Sequence, residues 1–175
     1  LAVSIWLNVF IRQAKYIGMA NIAQTVNVIS PLMTTKDDIV RQTTWWPLLL
    51  FSRYMRGSTI ACNVRCDEYQ GDTEPAWIRS AIETPWLDVS AALGDDGFVN
   101  LMVVNVHESQ DFETEVSGVR AVPEEVEVYT VTGTSVRDTN MDGRQDVGIT
   151  ERSWDGKGYF TFPKHSLTLL RWRNC

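Results

Sequence analysis

A run of twenty residues without a charge, Tyr16 to Thr35 (YIGMANIAQTVNVISPLMTT), restricts what this chain can become. It is long enough to cross a bilayer. It also carries three amides, Asn21, Gln24 and Asn27, with Gly18, Ser30 and Pro31. Polar groups without partners are costly in lipid, so a membrane span is the poorer reading. The expectation is a buried segment of a water-soluble fold. A buried amide has to be hydrogen-bonded, by the fold or by a ligand. This segment is therefore the first place to look for a binding site.

The pattern on either side of Gly57 differs. Val3, Trp6, Leu7, Phe10, Ile11 and Ala14 follow a helical repeat, predicting a helix from Leu1 to about Ile17, with Gly18 as its stop and a short strand ending near Met19. A second helix is expected from Thr43 or Thr44 to Arg56. A threonine caps it, Pro47 lies in its first turn, and Trp45, Leu48, Leu49, Ser52 and Met55 form one face. Arg53 and Arg56 suit the negative end of its dipole and Gly57 supplies the stop.

After Gly57 the chain reads as short strands: Phe98–His107, Val126–Thr132, Tyr159–Phe162 and Ser166–Trp172. They are rich in β-branched and aromatic residues and separated by Gly94–Gly97, Gly133, Asp142-Gly143 and Asp155-Gly156. Such spacing predicts an antiparallel sandwich or barrel. Charge divides at the same place. Residues 1–57 hold six basic and two acidic residues, net +4, and residues 58–175 hold ten and twenty, net −10. The expected domains are 1–57, the closing βα part of a larger α/β body, and 58–175, an all-β unit. An acidic β unit with no stripe of Lys and Arg argues against nucleic acid as a partner.

The chain opens on Leu1 and the apolar LAVSIWLNVFI, with no basic region before it and no small-residue cleavage site after it. That is the expectation for a fragment beginning inside a folded element, any targeting sequence lying upstream. Cys62, Cys66 and Cys175 make neither a zinc site nor an obvious disulfide. Asp138-x-Asn140-x-Asp142-Gly143-x-x-Asp146 imitates the start of a calcium loop. Ile149 stands where the bidentate Glu belongs, no helical pattern flanks it, and Asp-Gly is a common turn dipeptide, so the turn is favoured. His107, His165 and Glu108 are better read as strand-end groups satisfied by hydrogen bonds than as metal ligands. Glu124, Glu125 and Glu127 read as a solvated acidic run. Of Trp45, Trp46, Trp77, Trp86, Trp154 and Trp172, Trp154 is the one expected to be exposed, in the turn-like SWDGKG.

Longer motifs narrow this further. MANIAQTVNVISPLMT, RQTTWWPLLLFSRYMRG, LDVSAAL, LMVVNVHES and FPKHSLTLLRW occur in that order over essentially the whole chain. They resemble glycoside hydrolase family fifty-one, the α-L-arabinofuranosidases, and the WWP and FSRYMRG spellings look fungal. The resemblance implies a (β/α)8 catalytic barrel followed by a jelly-roll β-sandwich. On that reading residues 1–57 are the last βα unit of the barrel and residues 58–175 the sandwich.

The resemblance also implies a retaining mechanism using two glutamates, nucleophile and acid/base, whose motifs are not in this sequence. No catalytic residue is therefore assigned here. Gln24, in ANIAQ, is implied to reach the arabinofuranose in the −1 subsite, where an amide can both donate to and accept from hydroxyls. Asn21 and Asn27 are given a supporting role in the same loop. No metal or organic cofactor is implied. The implied partners are arabinofuranosyl polysaccharides or oligosaccharides and the barrel on which the fragment packs, and the implied location is extracellular. The rival of another class is a non-catalytic carbohydrate-binding or structural β-sandwich, which would account for 58–175 but not for 1–57.

Overall fold

The structure, a computed structural model, describes residues 1–24, 26–78, 84–141 and 143–174. Two helices, α1 (Ala2–Arg12) and α2 (Trp45–Tyr54), flank a small hairpin of β1 (Leu32–Thr34) and β2 (Ile39–Arg41). Then come β3 (Ser58–Ile60), β4 (Leu87–Leu93), β5 (Phe98–Asn105), β6 (Phe112–Glu115), β7 (Val126–Thr132), β8 (Gly148–Trp154), β9 (Tyr159–Phe162) and β10 (Ser166–Arg173). Six of these form one antiparallel sheet in the order β3-β4-β5-β10-β7-β8, and β6 pairs with β9 in a separate ribbon. Among the described residues the result is a small, mostly β domain with α1 and α2 attached.

The central strands are apolar on both faces because both faces are covered. In β5 and β10, Met102, Val104, Leu167 and Leu169 point to one side, where they meet Leu50, Phe51 and Met55 of α2 and its C-cap, with Ile5, Leu7 and Ile11 of α1. Val103 and Leu170 point to the other side and pack with Val126, Val128, Leu87 and the ribbon's Phe160 and Phe162. A strand buried on both faces reads as a continuous apolar run, which is why FVNLMVVN and SLTLLRW stand out in the sequence. The outer strands differ. β8 carries Glu151 and Arg152 and is mostly exposed, and β3 is three residues long. Charge and shortness both discourage edge-to-edge pairing with another chain.

The helices depart from expectation in length and facing. α1 ends at Arg12, five residues short of Ile17, and Gln13 to Tyr16 form turns instead. No strand precedes Met19; the first strand begins at Leu32. α2 uses Pro47, Leu50, Phe51 and Met55 as its buried side, so Leu48 and Leu49 are only half-buried and Ser52 is exposed. With apolar residues at every position from Trp45 to Phe51, periodicity could not select the buried side. Thr44 is the N-cap but makes no side-chain capping bond. Gly57 lies at φ +100°, and a Cβ there would sit 2.2 Å from the Leu93 carbonyl oxygen. Glycine is needed where the chain leaves α2 and enters the sheet.

Trp154 is half-buried against Phe160, ring centres 5.3 Å apart, and the exposed tryptophans are Trp6 and Trp77, both 63% exposed. Glu127 is not simply solvated. With Asp96 it holds the guanidinium of Arg171, which also lies 3.6 Å from the centre of the Phe98 ring. Arg171 holds the Asp96 carboxyl below its usual range. Burial, then the neighbouring Tyr54 and Glu127, pushes the Tyr129 phenol up.

Candidate functional site

The amide-bearing loop is not buried within this chain. From Tyr16 to Ile29 the described residues are exposed, except Ile17 and Asn27, which are half-buried. Tyr16 (76%), Met19 (79%), Val28 (75%) and Ile29 (65%) project apolar side chains outward, and Gln24 and Asn21 are exposed among them. The apolar character behind the expectation of a buried segment is present, but the described residues of this chain do not cover it.

The loop is nonetheless tightly shaped. Gln24, Asn27 and Val28 all have positive φ, at 61°, 65° and 55°. For a β-branched residue such as Val28 this is a true outlier, and strain of this kind persists only where surrounding bonds over-determine the backbone. Those bonds come from Asn27. Its backbone N–H donates to the Leu32 carbonyl at 2.7 Å, and its carbonyl accepts from Ser30 N–H at 2.9 Å. Its side-chain oxygen accepts from Thr34 N–H at 2.7 Å, and its side-chain nitrogen donates to the Thr34 hydroxyl at 2.9 Å. Asn21 is exposed. Gln24 lies three residues before Asn27, its carboxamide offering both a donor and an acceptor to solvent.

The hairpin at the base of this loop is joined to the β domain. Gln42 donates from its side chain to the Ser30 carbonyl at 2.8 Å and from its backbone to the Pro31 carbonyl at 2.9 Å. From the turn before β8, the buried Asn140 donates to the Arg41 carbonyl at 3.0 Å. α1 is joined separately, through a polar seam that sequence reasoning missed. Asn8 donates to the Asp88 carboxylate at 2.7 Å and accepts from the Ser90 hydroxyl at 2.6 Å. Arg12 pairs with Asp88 at 2.8 Å and donates to the Val89 carbonyl. The available signal was Ser4 and Asn8, four apart on an otherwise apolar helix. They are its fully buried residues, while Trp6 points out. Burying Ser4 and Asn8 turns Trp6 outward, while Ile5, Leu7 and Ile11 still pack on the core.

Trp6 on α1 and Tyr16, Met19, Val28 and Ile29 on the loop expose large apolar side chains, and exposed apolar surface marks an interface where it is contiguous. The purified chain is expected to bind a hydrophobic dye and to self-associate, and Trp6→Ser with Ile29→Ser should reduce both. A strictly monomeric chain that leaves the dye dark would show that these residues cover no partner.

The carboxylates described above serve structure. Asp88 holds α1, Asp96 and Glu127 hold Arg171, and Asp138 accepts from Thr134 and Ser135 backbone N–H at 2.6 and 2.9 Å. Backbone bonds from Ser135, with the Thr134 hydroxyl, hold the Asp138 carboxyl below its usual range. In the calcium-like pattern, Asn140 spends its carboxamide on Arg41 and Val147 backbone and Asp146 pairs with Arg144, while Asp142 lies outside the described residues. His107 accepts from Ser109 and Gln110 N–H, and both ring nitrogens of His165 face carbonyls, of Glu108 and Gly133. Among the described residues no group of three or more His, Cys, Asp and Glu could hold a metal ion. Cys62 and Cys66 are free thiols, and burial pushes the Cys62 thiol up. No described helix is long and apolar enough to cross a membrane.

The family model described as the alpha-L-arabinofuranosidase C-terminal domain matches residues 1–166. A probable alpha-L-arabinofuranosidase C of Aspergillus clavatus is 62% identical over 173 residues, covering 99% of this chain and 34% of that protein. The alpha-L-arabinofuranosidase C of Emericella nidulans is 58% identical over the same shares. This chain spans about a third of the length of these curated relatives. Among solved structures, the alpha-L-arabinofuranosidase of Thermotoga maritima in its arabinose complex superposes with a TM-score of 0.82 at 19% identity, over 97% of this chain and 38% of that one. The GH51 arabinofuranosidase of Xanthomonas axonopodis pv. citri gives 0.79 at 24% identity, over 97% and 34%. At these identities the superpositions establish a shared fold.

Proposed function

The chain belongs to the family of the alpha-L-arabinofuranosidase C-terminal domain, and from that premise we propose that it is the C-terminal part of a secreted α-L-arabinofuranosidase. The single observation that carries this reading is the family match over residues 1–166, reinforced by 62% identity to a relative bearing that name. The full-length parent removes terminal non-reducing α-L-arabinofuranosyl groups from arabinoxylan, arabinan and their oligosaccharides, with retention. Residues 1–57 close its (β/α)8 barrel and residues 58–175 form its jelly-roll sandwich.

In that setting the loop from Gly18 to Ile29 lies at the C-terminal face of the barrel, where such enzymes bind substrate. The apolar side chains that stand exposed here pack on neighbouring βα units. Gln24 reaches the arabinofuranose in the −1 subsite, its amide exchanging hydrogen bonds with ring hydroxyls, while Asn27 shapes the loop and Asn21 supports it. The positive φ at Gln24 favours this assignment, because unfavourable backbone geometry collects where a ligand must be met. The two carboxylates that perform the displacement come from elsewhere in the parent.

In the full-length parent, Gln24→Ala is expected to cost about 1–3 kcal/mol of transition-state stabilisation, the loss of one hydrogen bond with its partner hydroxyl left unsatisfied. If the bond tightens as the sugar flattens, kcat falls with kcat/KM; if it holds only the ground state, KM rises alone. The melting temperature should hold, since the side chain is exposed in this chain. Normal kinetics on an aryl arabinofuranoside combined with a lowered melting temperature would make Gln24 a structural amide instead.

A further inference from the structure

We propose that Asn140, a residue of the β domain, is a positioning residue for the sugar-binding loop, so that the C-terminal domain helps to set the geometry of the −1 subsite. The proposal rests on the reading of Gln24 given above and extends it to a residue far away in sequence.

A continuous set of bonds runs from Asn140 to Asn27. Asn140 is 2% exposed and its carboxamide is fully engaged. The nitrogen donates to the Arg41 carbonyl at 3.0 Å and the Val147 carbonyl at 2.8 Å, and the oxygen accepts from Val147 N–H at 2.9 Å. The Val147 carbonyl also accepts from the Trp46 indole at 3.1 Å, so the first turn of α2 is fixed at the same point. Arg41 is the last residue of β2 and pairs with Leu32, the first residue of β1. Next to it, Gln42 holds Ser30 and Pro31. Leu32 and Ser30 are the backbone partners of Asn27. Asn27 and Val28, both at positive φ, lie three and four residues after Gln24.

Asn140 therefore acts at the point where the hairpin enters the domain. A two-stranded hairpin with three paired residues per strand is marginal without outside support. The Asn140 amide makes a hydrogen bond from the segment before β8 to β2. Without it, the hairpin can tilt about its base, and Asn27, bonded to Leu32 at that base and to Thr34 at the other end of β1, moves with it. Misplacement by about 1 Å can cost about a hundredfold in rate even when the altered residue is far from the chemistry.

The test uses the full-length parent with Gln24→Ala, Asn140→Ala and the double variant, assayed on an aryl α-L-arabinofuranoside well below the melting temperature. Amide hydrogen exchange is followed in parallel across residues 26–42. Asn140→Ala is expected to speed exchange there while β4, β5 and β10 stay protected. It should lower kcat/KM about tenfold and have much less effect when Gln24 is already alanine. Unchanged exchange overturns the clamp. Faster exchange with unchanged kcat/KM, while Gln24→Ala is impaired, leaves Asn140 a purely structural residue and overturns the positioning role. Normal kinetics for Gln24→Ala sinks the reading of Gln24 itself and this proposal with it, an outcome the single variant identifies separately. Should Asn140→Ala fail to fold, Gln42→Ala, at a half-buried site, breaks the next link and is judged by the same outcomes.

Discussion

Purified by itself, the 175-residue chain is expected to release no product from an aryl α-L-arabinofuranoside above the uncatalysed rate. A retaining glycosidase needs two carboxyl groups about 5 Å apart, one attacking the anomeric carbon and one protonating the leaving oxygen. In this chain Asp88, Asp96, Glu127 and Asp138 already satisfy arginines or backbone N–H groups. Gln24 can hold a hydroxyl but cannot act as a nucleophile or a proton donor of useful strength. A hydrogen bond of about 1–3 kcal/mol is far from the barrier reduction of about 8–23 kcal/mol that enzymes achieve. The decisive measurement is turnover that co-purifies with the chain and vanishes in Gln24→Ala. Finding it would place a working acid and nucleophile within these residues and undo the assignment of chemistry to the rest of the parent.

How much of this was legible in the sequence depended on how each residue is surrounded. β7 and β9 match their expected bounds at both ends, because VEVYTVT and YFTF are strongly β-prone and bounded by turns. β4 is not legible as a strand, although LDVSAAL stands out as a motif. Asp88 and Ser90 face Asn8 of α1, so the positions that should look apolar carry polar groups satisfied across an interface. β8 is not legible, because an edge strand with Glu151 and Arg152 in its middle resembles a loop. β3 and β6, of three and four residues, are too short for a periodic signal. At the candidate site, the amides were visible as polar residues in an uncharged run, but their exposure in this chain was not. Apolar character alone does not say which molecule, or which part of a larger one, provides the cover. The bond from Asn140 to Arg41 spans ninety-nine positions, and no local pattern announces it.

Phe160→Ala should separate the role of the β domain in stability from its role in chemistry. Phe160 is 2% exposed and stands on β9, in the ribbon that covers the second face of the sheet. Its ring centre lies 4.8 Å from that of Phe162 and 5.3 Å from that of Trp154, and the Arg152 guanidinium lies 4.9 Å from it. Truncation removes the ring and leaves a cavity between β9 and the sheet, with an expected cost of about 3–5 kcal/mol. The ribbon pairs β6 with β9 over four residues each, so it has little pairing energy with which to resist opening. Urea denaturation of the 175-residue chain should show a lower midpoint with an unchanged slope. In the full-length parent the same substitution should lower the temperature of inactivation yet leave kcat and KM on an aryl arabinofuranoside unchanged in the cold. Phe160 is far from the amide loop in bonding terms, joined to it by none of the contacts that run through Asn140, Gln42 and Asn27. A Phe160→Ala parent that unfolds normally but loses binding to arabinan would instead place a carbohydrate contact on the ribbon and favour the β domain as a binding module.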